Sequence, residues 1–495
     1  MRPMRSVWMV AAVAAAAHAQ QPQQTRSAST EVRAGSLTLD DAIAIAQRNN
    51  PLYLQVRNNL RSANAQVRQA YGALLPSSNA SFRTGFQQGG TQYVQGIALP
   101  GSSDSYQSSY SIGLSYSVAP SMAYAPRAAR ATRDASEADI TSSAENLRSQ
   151  VTAQYITALQ SEAQAAVLDT LVQSAAGQLD LVNAKMAVGA ATIVDVRTAE
   201  VSLGQAQVQA LTVHNNSQVD KLRLFQLMGV PADITVRLTT QFPIAQPAFS
   251  LDSLITLARR VNPDLAAKKL REQASELQVK VARSQYLPSL FLSTGYGAQA
   301  FGYTNADLLA ASAQAQAASS FRNCMVTDSL RIGAGLKALP CGPATLSNEQ
   351  LSAVRASNQP FKFNKAPYGI GASLQLPLFN NFQREANIEQ QRVARDNALY
   401  DVRARNLQIN TDVTQAYLTL VTDARNVELQ NSIAQKASED LAGAQERYKV
   451  GAATFLDVTV ARGTYEKAQI DRVNSVYEYH KAFAALENAV GRPLR

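Results

Sequence analysis

The sequence predicts a mainly α-helical chain with a β-barrel part, built as two repeats of helix–strand–strand–long helix–helix. Three observations carry that expectation. The chain repeats itself: Val188-Gly189-Ala190-Ala191-Thr192-Ile193-Val194-Asp195-Val196 returns as Val450-Gly451-Ala452-Ala453-Thr454-Phe455-Leu456-Asp457-Val458. Segments of alternating apolar and small or polar residues interrupt stretches of helical period. From about Arg127 to Ala187 there is no proline, and Gly177 is the only glycine. A self-similar chain is read first as a repeat architecture.

The duplicated motif lies at an offset of 262 residues, and Val151, Tyr155, Gly229 and Pro231 recur at that offset as Val413, Tyr417, Gly491 and Pro493. No gap is needed over that stretch, as expected of packed helices that must keep register. The start of each unit repeats at an offset of 212: Thr38-Leu39-Asp40 with Ser250-Leu251-Asp252, Asn50-Pro51 with Asn262-Pro263, and Leu75-Pro76-Ser77 with Leu287-Pro288-Ser289. The second copy therefore holds about fifty extra residues, a size that suits a surface loop. Most fall between Gly297 and Pro367. The expected organisation is a signal peptide at 1–19, a linker at 20–36, a first repeat at 37–231 and a second linker at 232–249. The second repeat takes up 250–495. Strands are expected near 78–88, 109–118, 289–299 and 367–376, with a long external loop at 297–367.

Taken in order, Arg2 and Arg5, the apolar run Val7 to Ala16 and Ala17-His18-Ala19 have the pattern of a secretory signal peptide. Roughly ten apolar residues are too few to cross ~30 Å of hydrocarbon. The first helix of each unit opens at Thr38 or Ser250, and Thr38 with Asp41 has the form of a capping box. Asn50-Pro51 and Asn262-Pro263 end it, because the residue before proline is pushed out of the α region. A second helix runs to Leu75 or Leu287. Alternation follows: Tyr110, Ile112, Leu114, Tyr116 and Val118 are separated by serines and Gly113, and Tyr368 to Leu376 alternates likewise. Ala80, Phe82, Thr84 and Phe86 give a third such strand, and Ser289 to Ala298 a less regular fourth. The helix Arg127–Ala187 would span roughly 90 Å, the returning helix Thr192–Met228 about 55 Å and the short helix Pro263–Leu287 about 37 Å. The two shorter lengths together match the long one, as an antiparallel wall requires. Ala158, Ala163, Ala165 and Ala166 allow helices to approach closely.

A soluble sandwich would also alternate, but two strands set among long helices in an exported chain point to a membrane barrel. Four strands cannot close one, and an open edge is not viable in lipid. Closure needs several chains, and three copies would give twelve strands. The formal charge is +9, of which Arg2 and Arg5 account for two, and it is spread without Lys/Arg blocks. That pattern is a solvated surface and not a nucleic-acid partner. Cys324 and Cys341 are the only cysteines, and a disulfide closing a loop worth about 3 kcal/mol of chain entropy suits an oxidising compartment. Two free thiols or half of a metal site are the alternatives. His214 and His480 sit in helical patterns without ligand spacing and read as surface or satisfied histidines. A secreted enzyme or solute-binding protein is disfavoured by scarce histidine and the lack of a Ser-His-Asp pattern or phosphate loop. No cofactor is implied. An exported coiled-coil protein without a pore is the other alternative, against which the alternating strands count.

These residues resemble the TolC-type outer-membrane efflux family over essentially the whole chain after residue 19. The resemblance rests on the Leu-Asp and Asn-Pro helix starts, the Leu-Pro-Ser exits, and the duplicated Val-Gly-x-x-Thr-x-x-Asp-Val. It implies a homotrimer with a twelve-stranded barrel in outer-membrane lipid and a helical tunnel through the periplasm. Such a protein serves as a non-enzymatic exit duct for an inner-membrane pump joined through a periplasmic adaptor. Matched to this chain, Val188, Gly189 and Ala190 with Val450, Gly451 and Ala452 would be the adaptor-docking tips. Tyr448 matches a tyrosine the family places before the second turn. Asp195 and Asp457 support a helix N-terminus in one reading and form a gating carboxylate ring in the other. Ala453 and Val460 depart from members that carry a gate arginine and a second aspartate there.

Overall fold

A computed structural model describes residues 35–90, 92–94, 97–99, 103–244, 249–365 and 367–494. The expected signal peptide and most of the expected linker at 20–36 lie outside the described residues. In chain order, β1 (Ser36–Leu37) leads into α1 (Leu39–Asn49) and α2 (Pro51–Gly72). Strand β2 (Ser77–Gln87), short β3 (Gln92–Val94) and β4 (Ile97–Leu99), and β5 (Ser105–Val118) precede α3 (Ala125–Ala187) and α4 (Ile193–Met228). The second half runs β6 (Arg237–Leu238), α5 (Leu251–Val261), α6 (Pro263–Arg283), β7 (Ser289–Tyr303), α7 (Ala306–Gly333) and α8 (Asn348–Ser357). It continues through β8 (Asn364–Lys365), β9 (Gly369–Gln375), α9 (Gln383–Lys449) and α10 (Phe455–Val490). No described helix is long and apolar enough to cross a membrane. The chain divides into two compact units.

The helical unit comprises the chain up to Arg57, Ile140–Pro263 and Asn406–Arg495. Helices α4 and α10 each have 36 residues and start 262 positions apart. The Asn-Pro junctions do more than break a helix. Proline holds Asn50 and Asn262 in extended backbone, with ψ of 119° and 120°. The Asn50 side chain then donates to the Leu227 carbonyl (2.8 Å), and Asn262 donates to the Ala489 carbonyl (3.2 Å). Those carbonyls lie in the last turns of α4 and α10, where the helix leaves acceptors unsatisfied. Gly229 and Gly491, which follow those helices, have φ of 71° and 88°. A methyl group on Gly229 would sit 2.5 Å from the Asn49 carbonyl oxygen, and one on Gly491 2.7 Å from Pro263 Cδ. Around the first junction Leu37, Ala42, Ile45, Val151, Leu224, Phe225 and Met228 form a buried core with Tyr155. The Tyr155 hydroxyl donates to the Leu37 carbonyl (2.7 Å) and accepts from the Thr239 and Thr240 amides (3.2 Å each), fixing the parallel β1–β6 pair.

The strand unit comprises Asn58–Asp139 and Asp264–Arg405. Its main sheet is antiparallel in the order β2-β5-β7-β9, and β8 also pairs with β7. Register places Phe82 opposite Tyr110, Ile112 opposite Tyr296, and Leu290 opposite Leu374. Directly opposed residues share a face. One face thus carries Phe82, Phe86, Ile112, Leu114, Leu292, Ile370 and Leu374, all exposed, with Ile370 at 77%. The other is rich in serine, and hydroxyls pair across strands at Ser81–Ser111 (2.8 Å) and Ser77–Ser115 (2.8 Å). Phe291 and Phe301 are the large apolar exceptions on that second face.

The segment 297–367 corrects the sequence reading of it as a long irregular loop. Strand β7 continues to Tyr303, and helices α7 and α8 of 28 and 10 residues follow. The cause is legible: 306–320 is rich in Ala and Gln, which favour helix. Asn305 caps α7 by accepting from the Asp307 amide (2.9 Å), and Ser347 with Gln350 forms a capping box for α8. Cys324 and Cys341 are joined in a disulfide with Cα atoms 5.7 Å apart. Asn358 binds the segment back to β7 through the Tyr303 amide (2.9 Å) and carbonyl (2.8 Å). Strand β5 starts at Ser105 and not near 109, because Ser108 interrupts the apolar alternation while leaving its period intact.

Gly229→Ala and Gly491→Ala should each cost about 1–3 kcal/mol, because a left-handed non-glycine residue must also displace backbone. Gly177→Ala, mid-helix with open space around it, should be neutral or stabilising. Denaturant unfolding of the three variants checks this.

Candidate functional site

The two duplicated turns are built alike. At the end of α3 the Gly189 amide donates to Met186 O (3.0 Å) and the Ala190 amide to Lys185 O (2.8 Å). At the end of α9 the Gly451 amide donates to Tyr448 O (3.2 Å) and the Ala452 amide to Arg447 O (2.8 Å). This paired closure is the Schellman ending, which needs a left-handed residue; Gly189 and Gly451 supply φ of 75° and 79°. Each next helix starts on a threonine: Thr192 and Thr454 accept from the Asp195 and Asp457 amides (3.2 and 3.3 Å), and the aspartates accept from the threonine amides (2.8 Å each). Two helix ends are thereby satisfied within a few residues, which permits a tight reversal. Val188 and Val450 stand about 80% exposed at the tips (79% and 80%), and the space around both glycines is open.

The hairpins pack side by side. Val182, Val196 and Ala199 of the first form one buried cluster with Leu441, Ala444, Tyr448, Phe455, Val458 and Ala461 of the second. Tyr448 is its centre: its ring lies 5.8 Å from that of Phe455, and the Lys185 ammonium sits 3.7 Å from the ring centroid. Lys185 also donates to the Tyr448 carbonyl (2.7 Å), so one side chain ties the two tips. Burial pushes the Tyr448 phenol above its ordinary range, with the Asp195 carboxylate adding to the shift. Met186, its counterpart in the first hairpin, is exposed, so the two tips are unequal.

The structure therefore gathers Asp195, Tyr448 and both turns into one tip region, with both aspartates engaged in capping. Asp457 is exposed, and its carboxyl is held below the usual range chiefly by the Thr454 amide, then by the Thr454 hydroxyl and Arg447. Sequence reasoning missed Lys185. Its signal was the repeat itself, because Lys185 and Arg447 place a base in the last turn of both long helices. The histidines are accounted for: His214 lies 2.9 Å from Asp169, and His480 is buried between Phe242 and Tyr479.

A sheet with one exposed apolar face and one hydroxyl-rich face, carried in a chain with capped helical hairpins, has the form of a membrane-spanning strand wall. Comparison with known proteins agrees. The family model for outer membrane efflux proteins matches residues 42–230 and 344–492, more than half of the chain. The chain belongs to the outer membrane efflux protein family, and its place is the outer membrane. Similar relatives include the pyoverdine export outer membrane protein OpmQ of one Pseudomonas putida strain, 24% identical over 53% of this chain and 57% of its own. The toluene efflux pump outer membrane protein TtgF of a second Pseudomonas putida strain is 27% identical over 56% and 58%. The chain thus spans a little over half the length of these curated relatives. Among solved structures, the VceC outer membrane protein of Vibrio cholerae matches with a TM-score of 0.67 at 18% identity, covering 92% of this chain and 97% of that one. The CmeC channel of Campylobacter jejuni matches at 0.69 and 18%, covering 92% and 85%. These likenesses establish the fold.

A carboxyl held low contributes stability that is fully present above the ordinary carboxylate range and is lost as pH falls through its depressed value. Amide protection in the first turn of α10 should therefore fall on acidification, and Asp457→Asn should remove that dependence. Hydrogen exchange of the Phe455–Val458 amides across that range checks this; pH-independent protection in the unmodified protein would contradict it.

Proposed function

We propose that this protein is the outer-membrane exit duct of a tripartite efflux or type I secretion system. In this reading three copies close a twelve-stranded barrel, and their helical hairpins continue it as a tunnel into the periplasm. Cargo from an inner-membrane pump and periplasmic adaptor passes through without chemistry or energy from the duct. The observation that carries the reading is the sheet, whose apolar face is exposed along all four main strands. Residues 37–231 and 250–495 are then the two repeats of one protomer.

The tips support the partner assignment. Val188-Gly189-Ala190 and Val450-Gly451-Ala452 project small, exposed residues on rigidly capped turns, leaving room for an adaptor's own helix ends. Asp195 and Asp457 place carboxylates one turn behind the tips, and around a threefold axis they would favour cations at the narrow end. Tyr448, pinned by Lys185, would couple the two hairpins when that end widens.

Gly189→Trp combined with Gly451→Trp strains two left-handed positions, about 1–3 kcal/mol each, but fills space that is open at the exposed tips, so the protein should be less stable yet still reach the outer membrane in its normal oligomeric form while export stops. Cell fractionation with an export assay reads both. Normal export by the double variant would remove the docking role.

A further inference from the structure

The insertion between β7 and β9 lies on one particular face of the sheet. At the end of β7 remote from α6, burial alternates: Ala298, Ala300 and Gly302 are buried, while Gln299 and Phe301 are exposed. Register puts the buried residues on the face of Ile112, Leu292 and Ile370, not on the serine-rich one. Tyr106 and Tyr110 of β5 share that face, and the insertion reaches both. The Phe363 ring meets Tyr110 edge-on (5.0 Å between centroids), and the Tyr106 hydroxyl donates to Asn358 Oδ1 (3.1 Å). A methyl group on Gly302 would sit 2.4 Å from the same Asn358 oxygen. A membrane strand needs about 9–11 residues, and β7 has 15. The cover starts at Ala298, where the first nine or so residues from Ser289 have already crossed. With the apolar face turned to lipid, the reading proposed above and the one this inference rests on, the insertion stands outside the wall at headgroup level.

The surface that α7 leaves free suits that place. Ala310, Gln314, Ala317 and Cys324 lie on its packed side, while the opposite side carries exposed Leu308, Val326 and Leu330, the last at 71%. The Cys324–Cys341 disulfide and the Leu339 amide, which donates to Asp328 (2.6 Å), fold the following turn back along the helix. That turn adds exposed Leu336 and Leu339 on either side of Lys337. Charge is one-sided as well. Asp307 is taken by Arg355 (2.7 Å) and Asp328 by the turn, whereas Arg322, Arg331 and Lys337 have no carboxylate partner among the described residues. Exposed leucine and valine interleaved with free cations match the boundary where acyl chains meet anionic phosphates. A second copy of the same surface would instead bring like charges together.

We propose that this insertion docks on the outer leaflet from outside the barrel. Its leucines and Val326 enter the headgroup boundary, and Arg322, Arg331 and Lys337 bind lipid phosphates. Three copies then form a collar that fixes the height of the wall in the membrane.

Tryptophan fluorescence tests this. Trp8 is the only tryptophan in the chain and lies in the expected signal peptide, so Leu330→Trp reports the insertion and Ile370→Trp the wall. Each purified variant is reconstituted into phosphatidylcholine vesicles with or without phosphatidylglycerol, with lipid brominated in its acyl chains as quencher. Ile370→Trp should be quenched in both vesicles; if it is not, the barrel reading falls and this inference with it. Leu330→Trp should be quenched several-fold more strongly with phosphatidylglycerol than without. Arg322→Gln with Lys337→Gln should remove that difference; both side chains are exposed, so the fold should be unaffected. With Ile370→Trp quenched, three results would each overturn the collar alone. They are an unquenched Leu330→Trp, quenching indifferent to phosphatidylglycerol, and shielding of Leu330→Trp from aqueous iodide without lipid quenching, the mark of a second copy on this face.

Discussion

The unpaired backbone at the sheet margins is the constraint on which the rest of the molecule depends. Among the described residues, strands β2 and β9 each have one partner in the main sheet, while the apolar face they share with β5 and β7 suits hydrocarbon. Lipid offers no hydrogen bonds, so free amides and carbonyls along an edge cannot remain there. Four strands are too few to curl round and satisfy one another. In the proposed assembly the chain finds its missing partners in other copies of itself. The serine-rich face, with hydroxyls paired across strands, is the side suited to water in such an assembly.

Helix ends set the second constraint. Helices of 63 and 67 residues gain from backbone hydrogen bonds along their length but expose unmet groups where they stop. This chain meets them with the same residues twice. Glycine and threonine close the two tips, while glycine and a proline-held asparagine close the other ends of α4 and α10. Because Asn50 and Asn262 reach carbonyls of helices far away in sequence, an insertion inside α4 or α10 would break both a cap and a register. That accounts for an offset that never changes from Val151 to Pro231, and for extra residues collecting at 297–367.

Much of this was legible in the sequence, for physical reasons. Capping, proline and alternation are local, so Thr38, Asn50-Pro51 and Tyr110–Val118 announced their structures. Contacts between distant helices were not local. Asn50 read as a helix breaker, and its bond to Leu227 could not be seen. Tyr448 was legible as a tip residue, but its burial between Lys185 and Phe455 depends on two hairpins meeting. The helix α7 was hidden by the two cysteines, which drew attention to an irregular segment, although alanine and glutamine there favoured helix.

If unpaired strand edges force several copies to complete one barrel, the copies must be countable. Native mass spectrometry of the protein extracted from outer membranes in mild detergent tests this most directly. Three chains per particle, with the strands intact by circular dichroism, is the expected result. A single folded chain retaining its full strand content would contradict it, because the edges of β2 and β9 would then be tolerated without partners.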